Sequence, residues 1–243
     1  MGTAKYTPED ILQILKDSYN FQSVFDPEVD AGTKLTFDTS VEDWISICDL
    51  VGPKKLAAYY QRLFDISGSS IVLENILVSE KSNLRDFCNY LAEQADRKLV
   101  MPIVVMGAPC LTAAIFKTLM RNLADNGVDV KDVRPDSSLA PLFTKKDAGK
   151  WLEQVSKLAP GTIGAFRYKE NRIQQTGAYL IGASAIMLII VSLLWQFHWT
   201  LLLSIALGII VLLIGDYLRP AYVNIDKYNT VRDLINGMHI KMG

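Results

Sequence analysis

The sequence predicts an all-α protein, in which a helical cytoplasmic domain is followed by a C-terminal two-helix transmembrane hairpin. Helix-start signals followed by apolar residues at helical spacing recur through the first part of the chain. Between Ile173 and Gly215 there is no Asp, Glu, Lys or Arg, whereas one membrane-spanning helix needs only about 20 apolar residues. The expected parts are a cytoplasmic domain at 1–160, a connector at 161–176, the hairpin at 177–218 and a cytoplasmic tail at 219–243. The cytoplasmic domain is either undivided or consists of two small helical units, at about 1–98 and 99–160.

The composition limits the classes of function. The 243 residues carry a formal net charge of −1, with 50% hydrophobic and 21% charged residues, so there is no basic surplus for nucleic acid. The chain has two histidines, His198 and His239, and three cysteines, Cys48, Cys88 and Cys110. These counts exclude a multi-histidine metal centre, a four-thiolate zinc site and a dense disulfide framework. We expect no cofactor, no metal and no nucleic-acid partner.

The helices of the first domain are marked by their N-terminal residues. Thr7 is expected to cap a helix that opens with Pro8 and two acidic residues. Thr39 and Glu42 have the spacing of a capping box. Further helices are expected at Lys54–Phe64, after Ser82 as a cap, at Pro109–Asn126 with Gly127 as its stop, and at Asp147–Leu158.

Residues Leu99–Gly107 fit two structures. The β-branched residues Val100 and Ile103 favour a strand, while Pro102 suits the first turn of a helix. We expect a helix here, because nothing nearby has the pattern of a pairing strand.

A short pattern recurs in the first domain. Leu35–Trp44 and Val133–Leu142 each contain small hydroxyl residues followed by an apolar residue, and by a second apolar residue three positions later. Glu80–Phe87 is a weaker third copy. The pattern is typical of any helix start, or else it records an internal duplication of a small helical unit, and the sequence leaves both interpretations open.

Residues from about 110 to 158 resemble acyl carrier proteins. A long helix leads into Val133-Arg134-Pro135-Asp136-Ser137-Ser138-Leu139 and then into another helix, similar to the first helix, loop and second helix of that family. There, an Asp-Ser-Leu opens the second helix, and its serine carries phosphopantetheine. This chain has Asp147-Ala148-Gly149 at that place, without a hydroxyl. The resemblance therefore implies an unmodified docking module.

Two membrane spans are expected within the uncharged run, at about 177–195 and 200–218. Trp195 and Trp199 lie at the break between them, and the Trp ring with its polar N–H suits a membrane interface. Arg172 and Arg219 flank the run, while the turn carries no cation. The positive-inside rule then places both termini in the cytoplasm. We expect an integral protein of the bacterial inner membrane, without a signal peptide.

Small residues could bring the two expected spans together. Ala178 and Gly182, like Ser204 and Gly208, are four positions apart, a spacing that allows membrane helices to pack closely. The alternative is that such residues are simply frequent in membrane helices. Asp216 is a candidate functional carboxylate, or else an interface residue that pairs locally.

No catalytic arrangement is recognisable. No histidine precedes the expected hairpin, so the cytoplasmic domain cannot form a Ser–His or Cys–His pair. Cys48 and Cys88 lie on apolar helix faces and are expected to be buried and inert. Cys110 lies near a helix N-terminus, where a thiolate is stabilised, but a structural role is favoured.

The expected function is that of a membrane-anchored, non-enzymatic interaction or scaffolding protein with a carrier-like docking domain. Its expected partners are the lipid bilayer, further copies of itself in a homo-oligomer, and an unidentified cytoplasmic protein. The alternative is a membrane effector of the defence or toxin type, whose hairpins assemble and perturb the bilayer on activation. An enzyme held at the membrane would need an active site that the sequence does not reveal.

Overall fold

The computed structural model of the chain combines helices with short strands. It describes residues 2–26, 28–29, 32–144, 146–169, 176, 179, 181–186, 205–211 and 222–242. The helices are α1 (Pro8–Phe25), α2 (Val41–Ile47), α3 (Pro53–Leu63), α4 (Ile71–Val78), α5 (Leu84–Gln94), α6 (Leu111–Asp125), α7 (Ala148–Leu158) and α8 (Val231–Met242). The strands are β1 (Thr3–Lys5), β2 (Asp96–Lys98), β3 (Ile103–Val105), β4 (Ala108–Cys110), β5 (Phe166–Lys169) and β6 (Tyr222–Ile225). Residues 181–186 and 205–211 are also helical.

Apart from the helix predicted over Leu99–Gly107, the predicted helix starts in the first domain are confirmed to within one or two residues. The Thr7 side chain accepts a hydrogen bond from the Asp10 N–H, and the Asp10 carboxylate accepts one from the Thr7 N–H. The caps of α2 and α5 are Ser40 and Asn83, each one residue after the predicted cap. Gly127, with φ 73°, follows the end of α6, where a left-handed residue commonly stops a helix.

Two hydrophobic clusters form the core. The first extends from Tyr6 to Ala95 and is centred on the rings of Trp44 and Phe87, whose centroids are 5.2 Å apart. The second is built mainly from α6, α7 and α8, and includes Phe143 and Trp151, also with centroids 5.2 Å apart. Burying large aromatic side chains removes much apolar surface from water, which is the main stabilising term in folding.

The segment before α2 is held against the start of α5 by main-chain pairing. An isolated antiparallel bridge joins Ser40 to Asn83. The hydrogen bonds around it run from Val41 N to Ser82 O (3.0 Å), from Leu84 N to Thr39 O (2.9 Å) and from Arg85 N to Phe37 O (3.0 Å). Within the segment, the Thr36 N–H donates to Thr39 Oγ1 at 2.9 Å.

The same arrangement occurs a second time, before α8. A bridge joins Ser138 to Thr230. The matching hydrogen bonds run from Leu139 N to Asn229 O (2.9 Å), from Val231 N to Ser137 O (3.0 Å) and from Arg232 N to Pro135 O (2.6 Å), and the Arg134 N–H donates to Ser137 Oγ (2.9 Å). This match favours the duplication interpretation. Glu80–Phe87 is not a third copy, because it is the pairing partner of the first copy.

Helix α1 contacts α5 on one side and α7 and β5 on the other. Asp17 of α1 is fully buried at this contact. Its carboxylate accepts hydrogen bonds from Gln13 Nε2 (3.0 Å), Ser156 Oγ (3.1 Å) and the Gly161 N–H (3.0 Å). Burial raises the pKa of Asp17 to about 6, although these hydrogen bonds favour the charged form.

The prediction of an all-α fold is wrong. Among the described residues, β1 pairs with β2, β3 with β4 and β5 with β6, each pair forming an antiparallel two-stranded sheet. Most of these strands are only three residues long. Alternation of polar and apolar residues is not recognisable over so short a length. In addition, β1 and β2 are brought together from distant parts of the sequence, which local patterns cannot indicate.

The prediction of an integral membrane protein is also wrong. No helix among the described residues is both long enough and apolar enough to cross a membrane, which removes the support for the inner-membrane location and the topology derived from it. Of the predicted spans, 177–195 and 200–218, residues 179, 181–186 and 205–211 are described and the others lie outside the described residues. An uncharged run indicates apolar surroundings, but it does not by itself fix the length of a helix.

Candidate interaction site

A β-hairpin projects from the N-terminal side of α6. Its strands β3 and β4 pair with Val105 opposite Ala108, so that Met106 and Gly107 form a two-residue turn. Both turn residues have positive φ, 50° and 83°, as the favoured two-residue hairpin turns require. The helix predicted over Leu99–Gly107 is therefore wrong. The pairing strand follows directly after the turn and was not recognised because it contains a proline.

The hairpin and the segment before it expose large apolar side chains to solvent. Val104 is 74% exposed and Met106 is fully exposed, and further exposed apolar residues are Leu99, Met101 and Val105. Single exposed apolar residues are normal on protein surfaces, whereas a contiguous group of them marks a site of interaction. We call Leu99–Cys110 the hairpin surface.

An open cleft of about 530 Å³ lies beside β3. Residues of α6 and α8 complete it, together with Pro135 from the loop that pairs with α8. Its apolar lining residues are Ile103, Val104, Val105, Ala113, Phe116, Pro135 and Ile235, and its polar ones are Thr112, Lys117, Arg232 and Asn236. A cleft of this size, apolar with a few polar groups, is typical of a binding site.

The charged groups that line this cleft are both cationic. Lys117 and Arg232 are exposed, and neither belongs to an ion pair within the described part of the chain. A second depression, of about 560 Å³, shares Ile103 and Lys117 with the cleft and adds Lys98, Arg121 and one carboxylate, Asp125. The region around the hairpin therefore attracts negative charge.

Cys110 ends β4 and is the N-cap of α6. Its Sγ lies 3.2 Å from Thr112 Oγ1. This hydroxyl, followed by the main-chain N–H groups at the start of α6, lowers the pKa of the Cys110 thiol. By contrast, Cys48 and Cys88 are buried as predicted, and burial raises the pKa of each to about 12.

Most of the site residues predicted from sequence lie outside the described residues. These are the packing residues Ala178 and Ser204, the interface residues Trp195, Trp199, Arg172 and Arg219, and the carboxylate Asp216. Gly182 is described in a helical segment, with open space where a Cβ would point, and Gly208 is buried in another. Neither Gly182 nor Gly208 lines the cleft.

No group of three or more potential metal ligands occurs among the described residues. Comparisons with protein-family models, curated proteins and solved structures found no match for this chain. The geometry and chemistry of the surface are therefore the observations that bear on function.

The residues of the cleft were missed in the sequence because they come from separate elements. One signal was nevertheless present, since Gly107 follows a run rich in β-branched residues and precedes three residues able to form an edge strand. A glycine at that place favours a two-residue hairpin turn. The approach of α8 to α6 had no local signal, because it joins parts of the chain separated by more than one hundred positions.

Proposed function

We propose that this protein is a non-enzymatic docking module that binds a protein partner through the hairpin surface and the cleft beside it. The observation that carries the proposal is the contiguous apolar exposure of the hairpin, with Val104 74% exposed and Met106 fully exposed. Exposed groups of this kind are costly to keep in water and are retained where a partner covers them.

The hairpin is held by a well-packed support. The helix that follows it, α6, buries Ile115, Leu119 and Leu123 completely in the second cluster. A binding surface on rigid elements presents its contact groups in one geometry, which lowers the entropy lost on binding. This arrangement supports docking as the role of the hairpin.

The cleft chemistry supports binding more than catalysis. Its polar lining residues are two cations, a threonine and an amide, with no carboxylate or imidazole among them to act as a general base. Ala148 of α7, at the place where the resemblance to acyl carrier proteins would put an attachment serine, is buried and has no hydroxyl. We therefore include a carrier-like docking domain without a prosthetic group in the proposal.

The test is site-specific photocrosslinking in the cells from which the protein comes. A photoreactive amino acid replaces Val104 in one version of the full chain and Val78 in another. Val78 is 67% exposed on α4, far from the hairpin in sequence, and serves as the matched control. We expect one defined protein adduct from position 104, identified by mass spectrometry, that position 78 does not give.

Equal adducts at both positions, or none at position 104, would contradict docking through the hairpin. Native mass spectrometry of the purified chain provides a second check. A retained acyl chain or nucleotide would support an enzyme or a carrier instead, whereas an unmodified chain mass agrees with the proposal.

A further inference from the structure

The outer edge of β3 has main-chain groups available for pairing. In a hairpin closed by a two-residue turn, the pair next to the turn exchanges hydrogen bonds, and the next pair points its N–H and C=O groups outwards. Val105 and Ala108 are the pair next to the turn, so the outward pair is Val104 and Pro109. Val104 offers both a donor and an acceptor, whereas Pro109 has no N–H. The β3 edge is therefore better fitted than the β4 edge to receive another strand, and it does so through Val104, since Pro102, two residues earlier, has no N–H either.

The cleft lies along this same edge. All three β3 residues line it, and no β4 residue does. An extended segment paired with Val104 would place alternate side chains against the apolar lining of the cleft, in which Phe116 is partly exposed, because successive side chains of a strand point to opposite faces. The length of β3, three residues or roughly 10 Å, limits the paired part to a short segment.

The internal repeat provides a comparison for Arg232. The equivalent residue before α5 is Arg85, whose guanidinium lies 3.1 Å from Asp38 Oδ1 and 4.9 Å from the centroid of the Phe37 ring. At the second copy, Pro135 and Asp136 take the places of Phe37 and Asp38, and Arg232 borders the open cleft. Arg232 is one of several groups that lower the pKa of its neighbour Asp233, but it belongs to no ion pair within the described part of the chain. In the first copy, the arginine pairs with a carboxylate and a ring of the same copy. In the second copy, the arginine is available to a ligand.

We infer that the cleft binds an extended peptide segment, apolar on one face and carrying at least one carboxylate, which adds to β3 as a third strand. The carboxylate pairs with Arg232 or Lys117, and the apolar side chains cover Phe116. This inference rests on the proposed function, since it names the chemistry of the partner at the same site.

A second copy of this chain fits the edge less well. Pairing of β3 with β3 of another copy would bring Lys117 and Arg232 close to their own equivalents, and like charges across an interface oppose association. An acidic segment instead neutralises both cations. Charge complementarity therefore favours a different, acidic partner.

The test is selection of randomised nine-residue peptides displayed on phage against the purified full chain. We expect enrichment of sequences with Asp or Glu between Val, Ile or Leu. A selected peptide, made with a fluorescent label, should bind at least tenfold more weakly to the variant with both Lys117→Glu and Arg232→Glu. The matched control is Arg85→Glu, which changes the equivalent arginine outside the cleft and should alter affinity less than twofold.

Strand addition has its own readout. Methylating the main-chain nitrogens of the selected peptide one at a time should weaken binding at least tenfold at the residue that pairs with Val104 and little at its two neighbours, because neighbouring N–H groups point away from the partner strand. Circular dichroism of each protein variant should show the unmodified fold, because Lys117, Arg232 and Arg85 are all exposed.

Several results would overturn the inference. These are no enriched peptide, equal binding to the charge-reversed variant, or no position at which methylation matters. If dodecanoate binds the cleft without any peptide, the ligand is an acyl chain and not a peptide. If the purified protein is a dimer that Val104→Lys dissociates, the occupant of the cleft is a second copy of this chain. If position 104 still captures one protein in cells while the selection fails, the proposed function stands and only this inference fails.

Discussion

The hydroxyl of Ser156 donates a hydrogen bond of 3.1 Å to Oδ2 of Asp17, across 139 positions of the sequence. The same oxygen accepts the Gly161 N–H at 3.0 Å. A single buried carboxylate thus joins α1 to α7 and to the turn that follows α7. Because the donors around it are neutral and solvent is excluded, protonation of Asp17 depends on pH in a range where most carboxylates are already charged.

Stability should fall as pH rises through the titration of Asp17. The pKa of Asp17 is about 6 in the folded protein, above the ordinary value of 3.8. Between these values the folded state binds more protons than the unfolded state, so the free energy of unfolding decreases with rising pH. A shift of this size corresponds to about 3 kcal/mol over the window from about pH 4 to pH 7. Urea unfolding at several pH values measures it.

The variant Asp17→Asn separates this effect from other titrating groups. It should lose the decrease in stability, while the exposed Asp132→Asn should keep it. An equal pH dependence in Asp17→Asn and the unmodified protein would contradict the assignment.

The hairpin turn is under backbone strain at Met106. Its φ of 50° costs an ordinary side chain about 1 kcal/mol, and Asn tolerates this conformation better. Met106→Asn should therefore increase hydrogen-exchange protection of residues 103–110. Gly107→Ala, at φ 83°, should decrease protection by a comparable free energy. Gly52→Ala is the control, because Gly52 has φ −53° and open space around it. If the three substitutions changed the hydrogen-exchange protection of residues 103–110 in the same direction and by the same amount, the described turn geometry would be contradicted.

The three thiols should react at very different rates. The pKa of Cys110 is lowered and its side chain is partly exposed, whereas Cys48 and Cys88 are buried with pKa values raised to about 12. Since the thiolate is the reactive form, iodoacetamide at neutral pH should alkylate Cys110 first. Mass spectrometry of the digested protein measures this, with urea-unfolded protein as the control in which all three react. Early alkylation of Cys48 in the folded protein would contradict the described packing.

The two copies of the repeat should respond alike to loss of the hydroxyl within each loop. Thr39 Oγ1 and Ser137 Oγ each accept a main-chain N–H at 2.9 Å. Thr39→Ala and Ser137→Ala should each lower the free energy of unfolding by about 1 kcal/mol, the usual contribution of such a bond. Thr39→Ser keeps the acceptor and should retain most of the stability. A loss at only one position would show that the copies are not energetically equivalent.

Most helices of the first domain could be predicted from local sequence, whereas Ile71–Val78 and Val231–Met242 were not predicted as helices. Thr7 and Gly127 bound helices because capping and left-handed stops depend on residues a few positions away. The burial of Cys48 and Cys88 followed from helical spacing in the same way. The strand Ile103–Val105 was predicted to be a helix, because Pro109 in the pairing strand made that strand difficult to recognise from sequence. The hairpin surface was missed for the same reason.

The sequence by itself determined where most helices of the first domain begin, which of their faces are apolar and the scarcity of catalytic groups. These properties depend on hydrogen bonds and side-chain spacing within one or two helical turns. The tertiary structure alone decided the burial of Asp17, the pairing of each repeated segment with a distant helix start and the position of Arg232 beside the β3 edge. Each of these joins residues far apart in the chain, and such contacts depend on how whole elements pack rather than on local preference.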